Sequence, residues 1–228
     1  MAHPKVTALL PMKGHSERIP NKNIRVFGGK PLFHMVADVL EKSAYVNEII
    51  INTDSDKIAE DALKNFSKAK IHRRPENLCG DFVAMNDIIA YDISQTDGKH
   101  FLQTHSTNPL LTLTTMERAM ADYFASLQQF DSLFSVTQIQ SRLFWESGEP
   151  VNHNQGELLR TQDLPTLFEE NSNIFLFSKA SFTAASNKRI GLKPKMFVMD
   201  KLEAIDIDEE DDWIMAETLY RSRMAKKI

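Results

Sequence analysis

The sequence is short of cysteine and has no long apolar run. Cys79 is the single cysteine among 228 residues, so an internal disulfide framework is excluded, and one thiol cannot build a zinc cluster. No stretch approaches the roughly 20 consecutive apolar residues of a membrane-spanning helix. The apolar run at 6–12 is too short and too weakly flanked for a signal peptide. These absences predict a soluble cytoplasmic protein with no membrane partner.

The sequence also lacks the excess of positive charge that is typical of general nucleic-acid binders. Its formal net charge is −4, which argues against a nucleic-acid partner. The charge is unevenly distributed, with six basic residues and one acidic residue at 1–30, but eight acidic residues and one basic residue at 200–212. A basic segment suits a polyanionic ligand and an acidic one suits a divalent cation. Two solvated charge runs are the alternative explanation.

Length and periodicity indicate one α/β domain over residues 1–228. Short apolar runs alternate with helically spaced apolar residues, which predicts a mainly parallel central sheet with helices on both faces. Strands are predicted at 5–11, 48–53, 69–72, 100–104, 131–136, 173–177 and 196–199, with helices at 55–66, 82–94, 114–127 and 209–223 and another that starts at 31. The alternation breaks at about 138–168, where short β-like pieces predict a small β-rich lobe inserted in the domain.

The loop at 12–29 carries the strongest chemical signal. It follows the first strand, and in parallel sheets ligands bind beyond the carboxyl ends of the strands. The loop contains Gly14 together with Lys13, Arg18 and Lys22. Backbone N–H groups of such a loop can surround phosphates while the cations neutralise their charge. It is neither a Walker loop nor a dinucleotide fingerprint, and a surface turn with ordinary lysines is the alternative.

The segment 9–32 resembles the N-terminal signature of the acylneuraminate (sialic acid) cytidylyltransferases. That signature reads Pro-Ala-Arg-x-x-Ser-Lys-x-Ile-Pro-x-Lys-Asn-Ile, followed by Gly-Gly-x-Pro-Leu. Ser16, Lys22 and Asn23 match in place, while Lys13 replaces the usual arginine. The resemblance extends over almost the whole chain, because further motifs of the family are similar to the segments 51–55, 73–81, 101–110, 170–175 and 204–209.

The resemblance implies a Rossmann-like nucleotidyltransferase fold and a reaction. CMP passes from CTP to the anomeric hydroxyl of an acidic 2-keto sugar, sialic acid or a related nonulosonic acid, and pyrophosphate leaves. The implied enzyme is a cytoplasmic homodimer of cell-surface polysaccharide biosynthesis, with the lobe at 138–168 as its dimerisation element. The implied nucleotide-binding residues are Pro11, Met12, Lys13, Gly14, Ser16, Arg18, Lys22, Asn23, Arg74 and Asn86. The implied sugar-binding residues are Gln103, Thr104, Arg160 and Asn171, and the catalytic residues are Lys13, Lys22 and Asp208.

Asp206 and Asp208 alternate with Ile205 and Ile207 near the C-terminus. In an extended segment both carboxylates face one side, and two hard oxygen ligands on one face suit Mg²⁺. The alternative is that Asp208 caps the last helix. With the resemblance, this pair is predicted to hold the magnesium cofactor.

The sequence departs from the family where the sugar is held. Relatives often carry arginines near the equivalents of Thr161 and Glu169, which bind the sugar carboxylate. Arg160 is close to the first place, but Glu169 and Glu170 occupy the second. We therefore expect a sugar other than plain N-acetylneuraminate, and no side chain stands out as a general base. The alternatives are a 3-deoxy-manno-octulosonate cytidylyltransferase, a nucleotide-sugar-dependent glycosyltransferase and a non-catalytic CTP-binding homologue.

Overall fold

The computed structural model describes residues 3–80 and 82–225. Its main strands are β1 (Val6–Leu9), β4 (Val46–Thr53), β5 (Ala69–Arg73), β6 (His100–Gln103), β7 (Ser132–Ile139), β8 (Leu167–Ser178) and β9 (Pro194–Met199). The loop at 12–29, which follows β1 and carries Lys13, Arg18 and Lys22, is called the basic loop. A short hairpin, β2 (Val26–Phe27) and β3 (Lys30–Pro31), closes it. The helices are α1 (Leu32–Lys42), α2 (Asp56–Asn65), α3 (Met85–Ser94), α4 (Leu113–Ser126), α5 (Lys179–Ala184) and α6 (Glu210–Ala225). None of the described helices is long and apolar enough to cross a membrane.

The seven main strands form one sheet in the order β5-β4-β1-β6-β8-β7-β9. Pairing is parallel from β5 to β6 and between β7 and β9, whereas β8 runs antiparallel to both of its neighbours. The mainly parallel sheet is therefore confirmed. The exception follows from chain connectivity, because β7 and β8 are the two arms of one long hairpin that pairs as far as Ile139 and Leu167.

Alternate residues of the central strands bury themselves on opposite faces of the sheet. Ile49 and Ile51 of β4 belong to the apolar cluster that includes Phe33 of α1 and Met116 of α4. Ile50 belongs to a second cluster, with residues of α3 and α5. Three consecutive apolar residues that alternate between the two faces are what a strand covered on both faces requires. Helices on both faces of the sheet are thereby confirmed.

A third apolar cluster joins the basic loop to the acidic segment. Ile19 and Phe27 pack with Ile207 and with Trp213 of α6, and the rings of Phe27 and Trp213 meet edge to face at 5.5 Å. The Gly28 N–H donates to Glu217 Oε1 at 3.1 Å from a backbone with φ of 56°. The two charge-biased ends of the sequence are therefore neighbours in the fold.

The lobe predicted at about 138–168 has short β elements. Between the end of β7 and the start of β8, the described structure has one isolated bridge, Phe144 with Pro150, and a 3-10 turn at Thr161–Asp163. The extended ends of β7 and β8 supply its remaining β structure. The helix predicted from 82 begins at Met85, and Asp81, which ends one of the family-like motifs, lies outside the described residues.

Candidate functional site

A cleft of about 410 Å³ opens at the carboxyl edge of the sheet. Its walls come from the basic loop after β1, the turn after β5, the start of α3 and the segment after β6. Eight of the ten residues predicted to bind the nucleotide line it: Pro11, Met12, Lys13, Ser16, Arg18, Lys22, Asn23 and Arg74. The structure therefore brings together most of the predicted nucleotide site.

Gly14 and Asn86 lie outside the lining of this cleft. The Gly14 N–H donates to Asp54 Oδ1 at 2.6 Å, and a Cβ on Gly14 would meet the Ser55 Cβ at 2.8 Å. Asn86 Oδ1 accepts a hydrogen bond from the Arg189 backbone N–H at 3.4 Å. Both residues therefore hold neighbouring loops in place, and a direct contact with a nucleotide stays a prediction.

Hydrogen bonds fix the basic loop against the segments that follow β6 and β9. Asn23 Nδ2 donates to the Lys13 carbonyl at 2.9 Å, and its Oδ1 accepts from Ser106 Oγ at 2.7 Å. Arg18 Nη2 lies 2.6 Å and Lys22 Nζ 3.6 Å from Asp208 Oδ1. Burial lowers the pKa of Lys22, and the carboxylates of Asp208 and Asp206 oppose this shift. The cations are thus held in place before any ligand arrives.

Arg74 is held by a buried chain of polar groups. Its Nε donates to Asn52 Oδ1 at 2.7 Å, and Asn52 Nδ2 in turn donates to Asp92 Oδ1 at 2.8 Å. Burial is the main cause that lowers the pKa of Arg74. The same cleft is lined by the apolar side chains of Val83, Met85 and Ile88. A planar cation beside an apolar wall is an arrangement that can bind an aromatic base with polar edges.

Asp206 borders a second cavity, of about 350 Å³, next to the cleft. The other residues that line it are Thr137, Glu169, Glu170, Asn171, Ser172, Lys201 and Ala204. Burial raises the pKa of Asp206, and its buried Oδ1 has no hydrogen-bond partner in the described part of the chain. An unpartnered, desolvated carboxylate oxygen calls for a cation or a donor group.

The Asp206 and Asp208 pair fits a magnesium ion that keeps other ligands. Ile207 is fully buried and Ile205 packs on the same cluster, as the predicted alternation requires. Within residues 3–80 and 82–225, no group of three or more His, Cys, Asp or Glu side chains is arranged to hold a metal. Protein carboxylates at this place would therefore number two, which suits Mg²⁺ because it commonly binds one or two carboxylates plus water and substrate phosphates.

The predicted sugar-binding residues do not form one surface. Asn171 lines the second cavity, but its side chain is bonded to Ser135 Oγ at 2.5 Å and to Thr137 Oγ1 at 3.0 Å. Gln103 and Thr104 are fully buried and line neither cavity. Arg160 is exposed in the lobe, where it pairs with Asp163 at 2.6 Å, and it also lines neither cavity.

Arg189 was not predicted from the sequence, and it lies next to His105. Arg189 Nη1 donates to Gln103 Oε1 at 2.6 Å and lies 3.4 Å from His105 Nε2. Burial, reinforced by the charge of Arg189, lowers the pKa of His105 to about 4, so the ring is neutral near pH 7. Arg189 lies in an irregular turn between α5 and β9, and its partners are more than 80 positions away in sequence. No local pattern could have indicated this contact.

The chain is similar in sequence to known cytidylyltransferases. A family profile described as cytidylyltransferase matches residues 7–219. Pseudaminic acid cytidylyltransferase of Campylobacter jejuni is 26% identical, over 95% of this chain and 97% of that protein. N-acylneuraminate cytidylyltransferase of Escherichia coli is 24% identical, over 98% of this chain and 54% of its own length. The structure of CMP:2-keto-3-deoxy-manno-octonic acid synthetase complexed with CTP superposes with a TM-score of 0.69 at 11% identity, and covers 98% of this chain and 100% of that chain, which supports the fold.

Proposed function

The chain belongs to the cytidylyltransferase family, and from that premise we propose that it transfers CMP from CTP to the anomeric hydroxyl of an acidic 2-keto sugar. Family membership makes the protein a nucleotidyltransferase. The observation that carries the finer proposal is the pair of adjoining cavities at the sheet edge. One of them is basic and the other is rich in carboxylates; Asp206 lines the second, and Asp208 pairs with Arg18, which lines the first.

The cleft suits a cytidine triphosphate in one orientation. Arg74 and the apolar side chains of Val83 and Met85 would contact the base, because they combine a directed cation with an apolar surface. Lys22 and Arg18 would contact the phosphates, next to Asp208. Fixed cations stabilise the charge that develops as pyrophosphate leaves, and they need no reorganisation at that moment. Positioning and electrostatics are the main requirements of this type of reaction.

Asp206 and Asp208 would hold the magnesium ion. A bound Mg²⁺ supplies charge neutralisation at the phosphate oxygens. The side chains of Lys22 and Arg18 already contact Asp208, so they keep its carboxylate oriented toward the cleft. The unpartnered oxygen of Asp206 supports this assignment, since a buried carboxylate oxygen without a donor is costly.

The second cavity suits the acceptor. Glu169, Glu170 and Asn171 offer hydrogen-bond acceptors to sugar hydroxyl or amide N–H groups. The relatives named for pseudaminic acid and N-acylneuraminate act on acidic sugars, which supports the same class here. An octulosonate acceptor stays an alternative within this class. A homodimer through the lobe also stays a proposal, supported by Phe144 and Trp145, which are exposed there.

The test is pyrophosphate release with CTP and Mg²⁺ against a panel of nonulosonic and octulosonic acids. We expect release with CTP and one class of acid, and none with UTP or ATP. Release without an added acid would indicate a hydrolase. A glycosyltransferase would give no pyrophosphate with CTP and a free acid, and it would release a nucleoside mono- or diphosphate from a nucleotide sugar. If CTP stabilises the protein in a thermal-shift assay but no acid gives turnover, the chain is a non-catalytic homologue or uses an acid outside the panel.

A further inference from the structure

Arg189 lines neither cavity itself, but its guanidinium approaches one lining residue of each. Its Nη1 is 3.4 Å from Nε2 of His105, which lines the cleft. Its Nη2 is 3.8 Å from Oε1 of Glu170, which lines the second cavity. A ligand that spans the two cavities would therefore pass next to the guanidinium.

The position of this guanidinium is fixed before any ligand binds. Gln103 is fully buried, and its Oε1 accepts from Arg189 Nη1 at 2.6 Å. The other end of the Gln103 amide donates to the Thr104 carbonyl at 2.9 Å, which sets the orientation of the amide. The Arg189 Cζ lies 3.6 Å above the ring centroid of Phe175, in a cation–π contact. A side chain held in this way loses little entropy when it binds an anion.

Within the described residues, the Arg189 guanidinium has one ion pair, a long one with Glu170. Its side chain is 18% exposed, and the carboxylate of Glu170, itself 41% exposed, lies beyond hydrogen-bond distance at 3.8 Å. A guanidinium carries five N–H donors, and within the described residues only those on Nη1 are used. The remaining donors, on Nη2 and Nε, form a fork that matches the two oxygens of a carboxylate.

The donors on Nη2 and Nε of Arg189 suit a phosphate less well than a carboxylate. The second cavity contains the carboxylates of Glu169, Glu170 and Asp206, which would repel a polyphosphate placed among them. In the proposed arrangement, the phosphates bind to the cations of the loop after β1, which line the cleft. A sugar acid has one carboxylate for Arg189, and its hydroxyl and amide N–H groups can donate to the surrounding carboxylates.

We propose that Arg189 binds the carboxylate of the acceptor acid and so determines that this site takes an anionic sugar. This inference rests on the proposed function and adds the residue that recognises the acid. Gln103 is then a positioning residue for Arg189, and its amide does not contact the sugar. Glu170 is the loosely placed counter-charge that the acceptor carboxylate displaces.

The experiment compares Arg189→Met and Arg189→Lys with a matched control, Arg118→Met. Arg118 also lies over a phenylalanine, with Cζ 5.0 Å from the Phe197 centroid, but it is exposed on α4. We expect Arg189→Met to raise the KM for the acid at least about 30-fold, since one partner of a hydrogen-bonded charge pair is lost. The KM for CTP should change less than about twofold, and Arg189→Lys should fall between the wild type and Arg189→Met.

A second substrate separates recognition from a general structural effect. The acceptor carboxamide, which lacks the anionic charge, should bind the wild type at least about 30-fold more weakly than the acid. The same carboxamide should bind Arg189→Met and the wild type about equally. Binding is measured by calorimetry on the protein saturated with CTP without Mg²⁺, so that this result does not depend on turnover. CTP-induced thermal stabilisation of each variant reports whether the fold and the cleft are intact.

The outcomes distinguish this inference from the proposed function. If the wild type turns over an acid and Arg189→Met shows the same acid KM, the inference is wrong and the function stands. If the wild type binds the acid and its carboxamide equally, the inference is wrong whether or not turnover occurs. If no acid binds to the wild type with CTP, both are wrong. If Arg189→Met fails to fold, the acid KM of Arg189→Lys and the binding of the carboxamide to the wild type still test the inference.

Discussion

The cleft and the second cavity share one edge of the sheet but differ in how their polar groups are satisfied. In the cleft, Arg18 and Arg74 are bonded to protein partners that hold them in place. Around the second cavity, Asp206 Oδ1 has no hydrogen-bond partner among the described residues, and Arg189 lies 3.8 Å from the carboxylate of Glu170. A site whose cations are already held by protein partners needs little rearrangement to bind the proposed CTP. A site with unmatched charges depends on the particular acceptor to supply the missing groups.

Asp208 connects the two regions, and its substitution should have the largest effect. We expect Asp208→Asn to lower kcat roughly 10³-fold, because the variant would lose the proposed Mg²⁺ site together with the anchor of Arg18 and Lys22. The measurement is pyrophosphate release at saturating CTP and acceptor. The control is Glu209→Gln, which removes the neighbouring exposed carboxylate and should keep nearly full activity. Full activity in Asp208→Asn, with a normal fold, would show that the metal assignment is wrong.

His105, at the border between the regions, should make stability depend on pH. Burial holds its pKa in the folded protein at about 4, below the usual 6.5. As the pH falls below 6.5, the unfolded chain therefore takes up this proton before the folded protein does. The contribution to stability is full above pH 6.5 and declines by about 3 kcal/mol as the pH falls toward 4.

Urea unfolding of the wild type and His105→Gln at pH 7 and pH 4.5 measures this effect. The variant should lose less stability over this interval, while His15→Gln, at an exposed histidine, should behave as the wild type. An identical loss of stability in His105→Gln would mean that the ring is not buried as neutral imidazole. The surroundings of His105 would then be more hydrated than they are in the structure.

Arg74 belongs to the cleft alone, so its substitution should affect CTP alone. We expect Arg74→Met to raise the KM for CTP about 10- to 100-fold, which corresponds to the loss of hydrogen bonds from a charged donor. The adjacent Arg73 provides the control, because it is exposed and pairs with Asp56 at 2.6 Å. A CTP KM that changes equally in Arg73→Met and Arg74→Met would show that the base is not bound at this end of the cleft.

The same contrast explains what the sequence could predict. Most residues that are proposed to bind the nucleotide lie in one continuous segment, from Pro11 to Asn23, so their composition and spacing are visible in the sequence. Strand positions followed from apolar periodicity, and the Asp206 and Asp208 pair from their alternation together with the resemblance. These features depend on residues that are close in sequence, so local sequence patterns can predict them.

The acceptor side could not be predicted in this way. Its residues come from β7, β8, the turn before β9 and the segment after it, and tertiary contacts bring them together. The polar Gln103 ends an apolar strand, as expected, but its side chain is buried against Arg189, which the sequence places 86 positions away. Arg160 was chosen from the resemblance, and it lies exposed in the lobe beside Asp163, outside both cavities of this chain. Long-range contacts place Gln103 and Arg189, so no local pattern indicates them.

The measurement that tests this account most directly is a crossed comparison of Arg74→Met and Arg189→Met. The KM for CTP and the KM for the acid are determined for both variants and the wild type. The account predicts that Arg74→Met raises only the KM for CTP and that Arg189→Met raises only the KM for the acid. If either variant raises both KM values to the same extent, the two cavities do not hold separate substrates, and the division of the site is contradicted.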